Sequence, residues 1–180
     1  MTRLFTTLVL SMLLAGSQAV ANSNQPTDII EGVVDGAEHT WYTFRIPDSQ
    51  VTPTAYWFDI MGMFTSVSIQ KHSELRYSLQ DSFVIEFTLY DSPPACPCEV
   101  GDALISFWPG AERYPHYYAE DASIDIVEFA EIGEGAYRLA GTYEAVLALK
   151  ESMFGAPDTD DTVTVSGSFT VDWLPEDLQD

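Results

Sequence analysis

The sequence predicts an all-β fold, a single antiparallel β-sandwich or barrel of about nine or ten strands. Three observations predict it. Apolar and polar residues alternate with period two over long runs, so that one set of side chains faces a core and the other faces water. Residues suited to tight turns separate these runs, as in Asp35-Gly36, Pro47-Asp48, Gly62, Glu134-Gly135 and Ala156-Pro157-Asp158. Helical repeats are almost absent, and parallel strands would need crossover helices.

Ile29 to Val34 opens the series of strands, and Tyr42, Phe44 and Ile46 give the apolar face of the next. Tyr56, Phe58 and Ile60 supply a third, followed by Thr65 to Gln70 and Leu75 to Gln80. Phe83, Ile85, Phe87 and Leu89 alternate cleanly, and Ala103 to Trp108 follows. In Ser123 to Glu131 the apolar phase moves from Ile124 and Ile126 to Val127 and Phe129, which predicts a bulge near Ile126 or burial on both faces. The last two runs are the longest. From Tyr137 to Lys150 the inner set is Tyr137, Leu139, Gly141, Tyr143, Ala145, Leu147 and Leu149. From Thr162 to Trp173 it is Val163, Val165, Gly167, Phe169, Val171 and Trp173. Asp91 to Asp102 and Pro109 to Ala122 read as loops, with room for one helical turn within Glu112 to Asp121 or at the tail.

The chain has 180 residues. Residues 1–21 have the form of an export signal: Arg3 at the start, a mostly apolar run from Leu4 to Ala15, and Ala19-Val20-Ala21 as a cleavage site. An uncleaved anchor is the alternative, but the run falls short of the ~20 apolar residues that a spanning helix needs. Residues 22–180 then make one domain, and the mature protein is expected in a periplasm or outside the cell. A net charge of −21, with 28 acidic against 7 basic side chains, opposes binding to nucleic acid or to anionic lipid. A hydrophobic content of 46% and an aromatic content of 13% exclude a disordered acidic chain. The acidity fits saline surroundings, where counterions screen self-repulsion, and it also suits cationic partners.

Ala140-Gly141-Thr142-Tyr143 and Ser166-Gly167-Ser168-Phe169 share one form, a small residue, glycine, a hydroxyl residue and an aromatic. Each glycine removes a core side chain, and a bulky residue of the facing sheet, such as Trp41, Trp57 or Trp108, is expected to fill the space. With Ala122 to Glu131 before them, these strands resemble the carboxyl-terminal part of uncharacterised bacterial exported β-sheet proteins that carry paired G-[ST]-[FY] strands. The resemblance covers roughly the last third of the chain. It implies a sandwich-like fold and export, and it brings no activity or catalytic residue.

No G-x-S-x-G, phosphate-cradling glycine loop, H-E-x-x-H or complete calcium loop is present. Cys96-Pro97-Cys98 holds the only two cysteines, which an oxidising compartment would pair in a strained small ring that stiffens its loop. A redox or soft-metal role, or a bridge to another chain, is the alternative, although His39, His72 and His116 stand at no ligand spacing from these thiols and read as surface or turn residues. Trp108, Arg113, Tyr114, His116, Tyr117 and Tyr118 gather rings and polar donors where the alternation stops. They either bind a ligand, together with the Cys96 loop, or cap the open end of the core. Asp158, Asp160 and Asp161 form an acidic turn without the glycine and distal glutamate of a calcium loop.

Three functions compete on this reading. The first is a non-catalytic exported module that binds an unknown ligand or protein partner through the aromatic loop, with no cofactor, no nucleic acid and no membrane insertion. The second is a thiol-redox or soft-metal protein using Cys96 and Cys98. The third is a hydrolase, which needs carboxylates from different strands to converge in one cleft.

Overall fold

The structure is a computed structural model and describes residues 25–45, 54–90, 98–133 and 136–173. Residues 1–21, which read as an export signal, together with Cys96 and the turns Pro47-Asp48 and Glu134-Gly135, lie outside the described residues. Within them the chain is all-β: ten strands in one antiparallel sheet, and no helix. No helix of the described residues is long and apolar enough to cross a membrane. In chain order the strands are β1 (Gln25–Val34), β2 (Ala37–Arg45), β3 (Ala55–Ile60), β4 (Phe64–His72), β5 (Ser82–Leu89), β6 (Val100–Trp108), β7 (His116–Ala119), β8 (Ser123–Gly133), β9 (Ala136–Lys150) and β10 (Asp158–Trp173).

Pairing runs β10-β1-β2-β4-β5-β6-β7-β9, and β9 pairs β10, so eight strands form a closed, barrel-like circuit. β3 lies on β4 beside β2, and β8 on β9 beside β7, each leaving one edge unpaired among the described residues. The circuit is not equally strong all round. β9 and β10 pair along nearly their whole length, whereas β2 meets β4 at one residue pair, Tyr42 with His72. Thr54 reinforces that join. Its hydroxyl accepts from Phe44 N at 2.7 Å, its own N–H donates to Phe44 O at 3.2 Å, and its carbonyl accepts from Gln70 N at 2.6 Å.

Turn chemistry sets the hairpins. Asp35 and Gly36 both adopt positive φ, 47° and 80°, the backbone form that lets a two-residue loop follow the twist of its strands. Asp35 also reaches across to β10, where its carboxylate accepts from Thr164 N at 2.7 Å. Met61 and Gly62 repeat the geometry at φ 59° and 70°, and Asp59 Oδ1 accepts from Gly62 N at 2.5 Å.

The core lies inside the circuit. Trp41, Ile69, Phe83, Ile85, Ile105, Leu139, Leu147 and Val171 are fully buried there. Rings from facing strands interlock: Trp41 with Phe83 at 5.1 Å, Tyr143 with Phe83 at 5.3 Å, and Phe169 with Phe87 at 6.3 Å between centroids. Such offset or tilted contacts add about 0.5–1.5 kcal/mol each beyond area burial.

Several expectations need correction. Leu75 to Gln80 is a loop, because local bonds replace ladder bonds: Ser78 Oγ accepts from Gln80 N, and Leu79 O accepts from both Ser82 N and Ser82 Oγ. β7 lies inside the expected 109–122 loop, as a strand and not a helical turn; four residues are too few to reveal alternation. In β3 the phase is inverted, with Ala55 and Trp57 buried and Tyr56 and Phe58 turned outward. In β2 the core takes Trp41, while Phe44 is buried on the other side under Tyr77, with ring centroids 5.1 Å apart. The bulge near Ile126 is present, as a register shift between Ile126 and Glu128.

The glycine motifs pack in a different way from the one expected. In the β9–β10 register Gly167 stands opposite Tyr143, and Gly141 opposite Phe169. A Cβ on Gly141 would lie 2.8 Å from Phe169 Cζ, and one on Gly167 would lie 2.6 Å from Tyr143 Oη. Each motif's aromatic therefore fills the other motif's glycine gap within one sheet, and no tryptophan of the facing layer is needed.

Candidate functional site

The aromatic stretch folds onto itself at the end of the circuit where β6 gives way to β7. His116 is 6% exposed and stacks on Trp108 at 4.9 Å, with Tyr114 at 5.0 Å and Tyr118 edge-on at 6.2 Å. Trp108 Nε1 donates to Arg113 O at 3.1 Å, and His116 Nδ1 meets the same oxygen at 3.1 Å. Burial holds the His116 imidazole below its ordinary value, with the Lys150 and Arg113 charges acting in the same direction. The Arg113 guanidinium lies 5.9 Å from the Tyr114 ring, and Lys150 Nζ 4.7 Å from the Tyr118 ring. Tyr117 Oη donates to Asp161 at 3.1 Å and Tyr118 Oη to Glu120. Burial, reinforced by Glu120, pushes the Tyr118 hydroxyl up to about 12. Trp108, Arg113, Tyr114, His116 and Tyr118 are brought together and spend their contacts on one another, while Tyr117 faces the other side of β7 and packs against the core.

Cys98 packs against the core just before β6, while Trp108 ends that strand. About 30 Å separates them at the usual rise of an extended chain. Cys98 and the aromatic loop therefore lie at opposite ends of β6. The histidines also differ from expectation: His72 and His116 are buried on strands, and only His39 is partly exposed, its Nδ1 3.3 Å from Asp81 Oδ1. Asp158, Asp160 and Asp161 are exposed, and among the described residues no three His, Cys, Asp or Glu side chains gather closely enough to hold a metal ion.

A concave groove of about 660 Å³ lies on the outer face of β3, β4, β5 and β6. Tyr56 and Phe58, two apart on β3 and so on one face, stack at 6.4 Å and 19° along one wall. Glu86 of β5, Asp102 of β6, and Glu120 and Asp121 after β7 supply carboxylates from separate elements. The 120–122 segment is held to β6 by a bridge between Ala103 and Asp121 and by Ala122 N donating to Ala103 O at 3.4 Å. Ser66, Ser68 and Thr88 add hydroxyls, and Ser68 Oγ donates to Glu86 at 3.3 Å. A second hollow of about 370 Å³ shares Asp102, Glu120 and Asp121 and extends the groove to Ser123. No Lys, Arg or His is among the lining residues of either hollow. Sequence reasoning misses this site because it puts Tyr56 and Phe58 on the core face; the neighbouring Trp57, which competes for that face, is the available signal.

The interior holds a second surprise. Lys71 of β4 is fully buried, and its Nζ lies 4.3, 4.8 and 5.7 Å from the ring centroids of Tyr143, Phe83 and Trp41. It has no hydrogen-bond partner among the described residues. Burial drives its amine well below the ordinary 10.5. Ring faces favour the charged form by about 2 kcal/mol when desolvated, but burying an ammonium costs several kcal/mol even after relaxation, so burial acts against the charged form. The signal for it was parity: Lys71 continues the inward set Val67 and Ile69 once the strand is extended past Gln70.

Compared with known protein families, with curated proteins and with solved structures, the chain matches none of them.

Proposed function

We propose that this protein is an exported, non-catalytic β-sheet module that binds a positively charged ligand in the outer-face groove, with residues 1–21 removed on the way to a periplasm or the cell exterior. The observation that carries this reading is the groove's composition: a stacked ring pair facing carboxylates from three elements, with no cationic side chain in the lining. Rings attract cations through their negative faces, and a concave wall of one sign concentrates the opposite charge. An amine with an aliphatic stem suits both features. It also suits a chain of net charge −21.

Calorimetric titration with spermidine tests the reading. Binding is expected to weaken at least roughly tenfold in Tyr56→Ala/Phe58→Ala and in Glu86→Gln/Asp102→Asn, and to fall with added salt. Maltotriose, neutral and able only to stack and hydrogen-bond, is expected to stay unbound. Asp158→Asn/Asp160→Asn removes as much charge outside the groove, so equal weakening by that variant would reduce the effect to diffuse attraction and refute the site.

A carboxylate hydrolase is the second reading, favoured by Glu86, Asp102, Glu120 and Asp121 coming from separate elements into one cleft. Turnover of a glycoside that is lost in Glu86→Gln or Asp102→Asn, with folding intact, would displace the binding module in its favour.

A further inference from the structure

The β2–β4 join combines two features that do not occur together elsewhere in the described circuit: a single pairing of residues, and two adjacent buried bases behind it. Lys71 projects inward and His72 outward from consecutive positions of β4. Inside, Lys71 faces Trp41 of β2, Phe83 of β5 and Tyr143 of β9. Of these only Tyr143 titrates, and burial pushes its hydroxyl up, away from ionisation. Outside, His72 lies under Phe44 of β2 at 5.3 Å and Tyr77 of the 73–81 loop at 5.5 Å, and its Nδ1 meets Ser78 O at 2.9 Å. Its Nε2 is buried without a hydrogen-bond partner among the described residues, and burial lowers its titration below the ordinary 6.5. Tyr77 is raised by burial and by Tyr56, and stays neutral. Asp81 is engaged with His39, whose ring stacks on Trp41 on the inner side.

We propose that the β2–β4 join is an acid-released latch: protonating Lys71 and His72 frees β2 and the 73–81 loop from β4 while β9 and β10 stay paired. The chemistry is a proton equilibrium only. In the closed state a new N–H at His72 Nε2 or a third proton on Lys71 Nζ finds no acceptor among the described residues. In the open state both bases reach water and recover ordinary proton affinity, 10.5 for the lysine and 6.5 for the histidine. The sign follows from linkage. The open state binds more protons wherever pH lies between a base's lowered closed value and its ordinary one, so closure weakens as pH falls through that interval. Each base inside its interval changes the opening equilibrium by about tenfold per pH unit.

Hydrogen exchange of the full chain, followed peptide by peptide from about pH 8 to about pH 5 and corrected for intrinsic rates, reads the latch directly. Protection in 37–45 and 70–81 is expected to fall at least roughly tenfold on acidification, with 139–149 and 162–171 unchanged. Loss of protection spread evenly over the sheet, or no loss in 37–45, overturns the proposal. Lys71→Met/His72→Asn is expected to abolish the acid effect; the same acid effect in that variant overturns it. A measurement on the unaltered protein guards against a variant that does not fold: the Lys71 side-chain ¹⁵N resonance is expected at the neutral-amine position near pH 8, and an ammonium shift there overturns the proposal.

Discussion

The hydroxyl of Tyr143 sits over a pair of glycines, Gly32 of β1 and Gly167 of β10, which face each other in the register, and this arrangement gives a sharp test by double-mutant cycle. A Cβ on Gly32 would overlap Tyr143 Oη, while its next neighbours, Ser166 O at 3.0 Å and Trp41 Cζ3 at 3.1 Å, need only a small adjustment. Gly32→Ala alone is therefore expected to cost about 1–3 kcal/mol, the range for inserting one carbon into a packed interior. Tyr143→Phe removes an oxygen that is buried without a hydrogen-bond partner among the described residues, so it should be neutral or stabilising by about 1 kcal/mol. In the Phe background the main clash is gone. The alanine then restricts the unfolded chain, worth about 0.4–1 kcal/mol, and buries a methyl, so Gly32→Ala should become nearly neutral or favourable. Gly167→Ala serves as the control: its Cβ would still lie 2.8 Å from Glu31 O and 2.8 Å from Tyr143 Cζ, and Phe leaves both in place. Urea unfolding of the six proteins, followed by tryptophan fluorescence, yields the coupling energies. Additivity of Gly32→Ala and Tyr143→Phe within about 0.5 kcal/mol, or equal rescue of Gly167→Ala, would refute the account of how these strands fit together.

Trp108→Ala removes the stack on His116 and the bond to Arg113 O, and is expected to lower stability by about 1–3 kcal/mol while leaving spermidine affinity unchanged; the same two assays check both halves. Two carboxylates close together should titrate on opposite sides of the ordinary 3.8. Burial raises Asp28, although Thr43 Oγ1 donates to it at 3.1 Å, and the Arg138 guanidinium lowers Asp172, which it meets at 2.8 and 2.9 Å. Stability contributed through Asp172 is present above 3.8 and lost as pH falls through its lowered value, whereas Asp28 opposes folding increasingly as pH rises from 3.8 through its raised value. Side-chain ¹³C titration should show this order, and the reverse order would contradict the assignment.

Long alternation was the most legible part of the chain. From Tyr137 to Lys150, and again from Val163 to Val171, parity alone assigns each inward residue, because a slip by one position would turn the whole apolar set to water. Shorter runs lack that redundancy. Ala55-Tyr56-Trp57-Phe58 carries large rings on both parities, so nothing local decides which pair faces the core, and the groove depends on that choice. β7 is defined by its neighbours, since His116 to Ala119 becomes a strand through pairing with both β6 and β9. The closure of the circuit at β10–β1 and β2–β4 is a long-range event with no local residue signature. Few residues separate Cys98 from the aromatic loop in sequence, but β6 runs between them as an extended strand and sets them far apart.

The edge of β8 that is unpaired among the described residues bears on how copies of this protein behave at high concentration. Its bulge between Ile126 and Glu128 breaks the regular row of donors and acceptors that a second molecule's strand would need. Asp125, Glu128 and Glu131 are all exposed along the same strand, so an approaching copy meets like charge as well as mismatched geometry. Salt erases the repulsion but not the bulge, which leaves the covalent order of residues to guard against intermolecular sheet growth in brine.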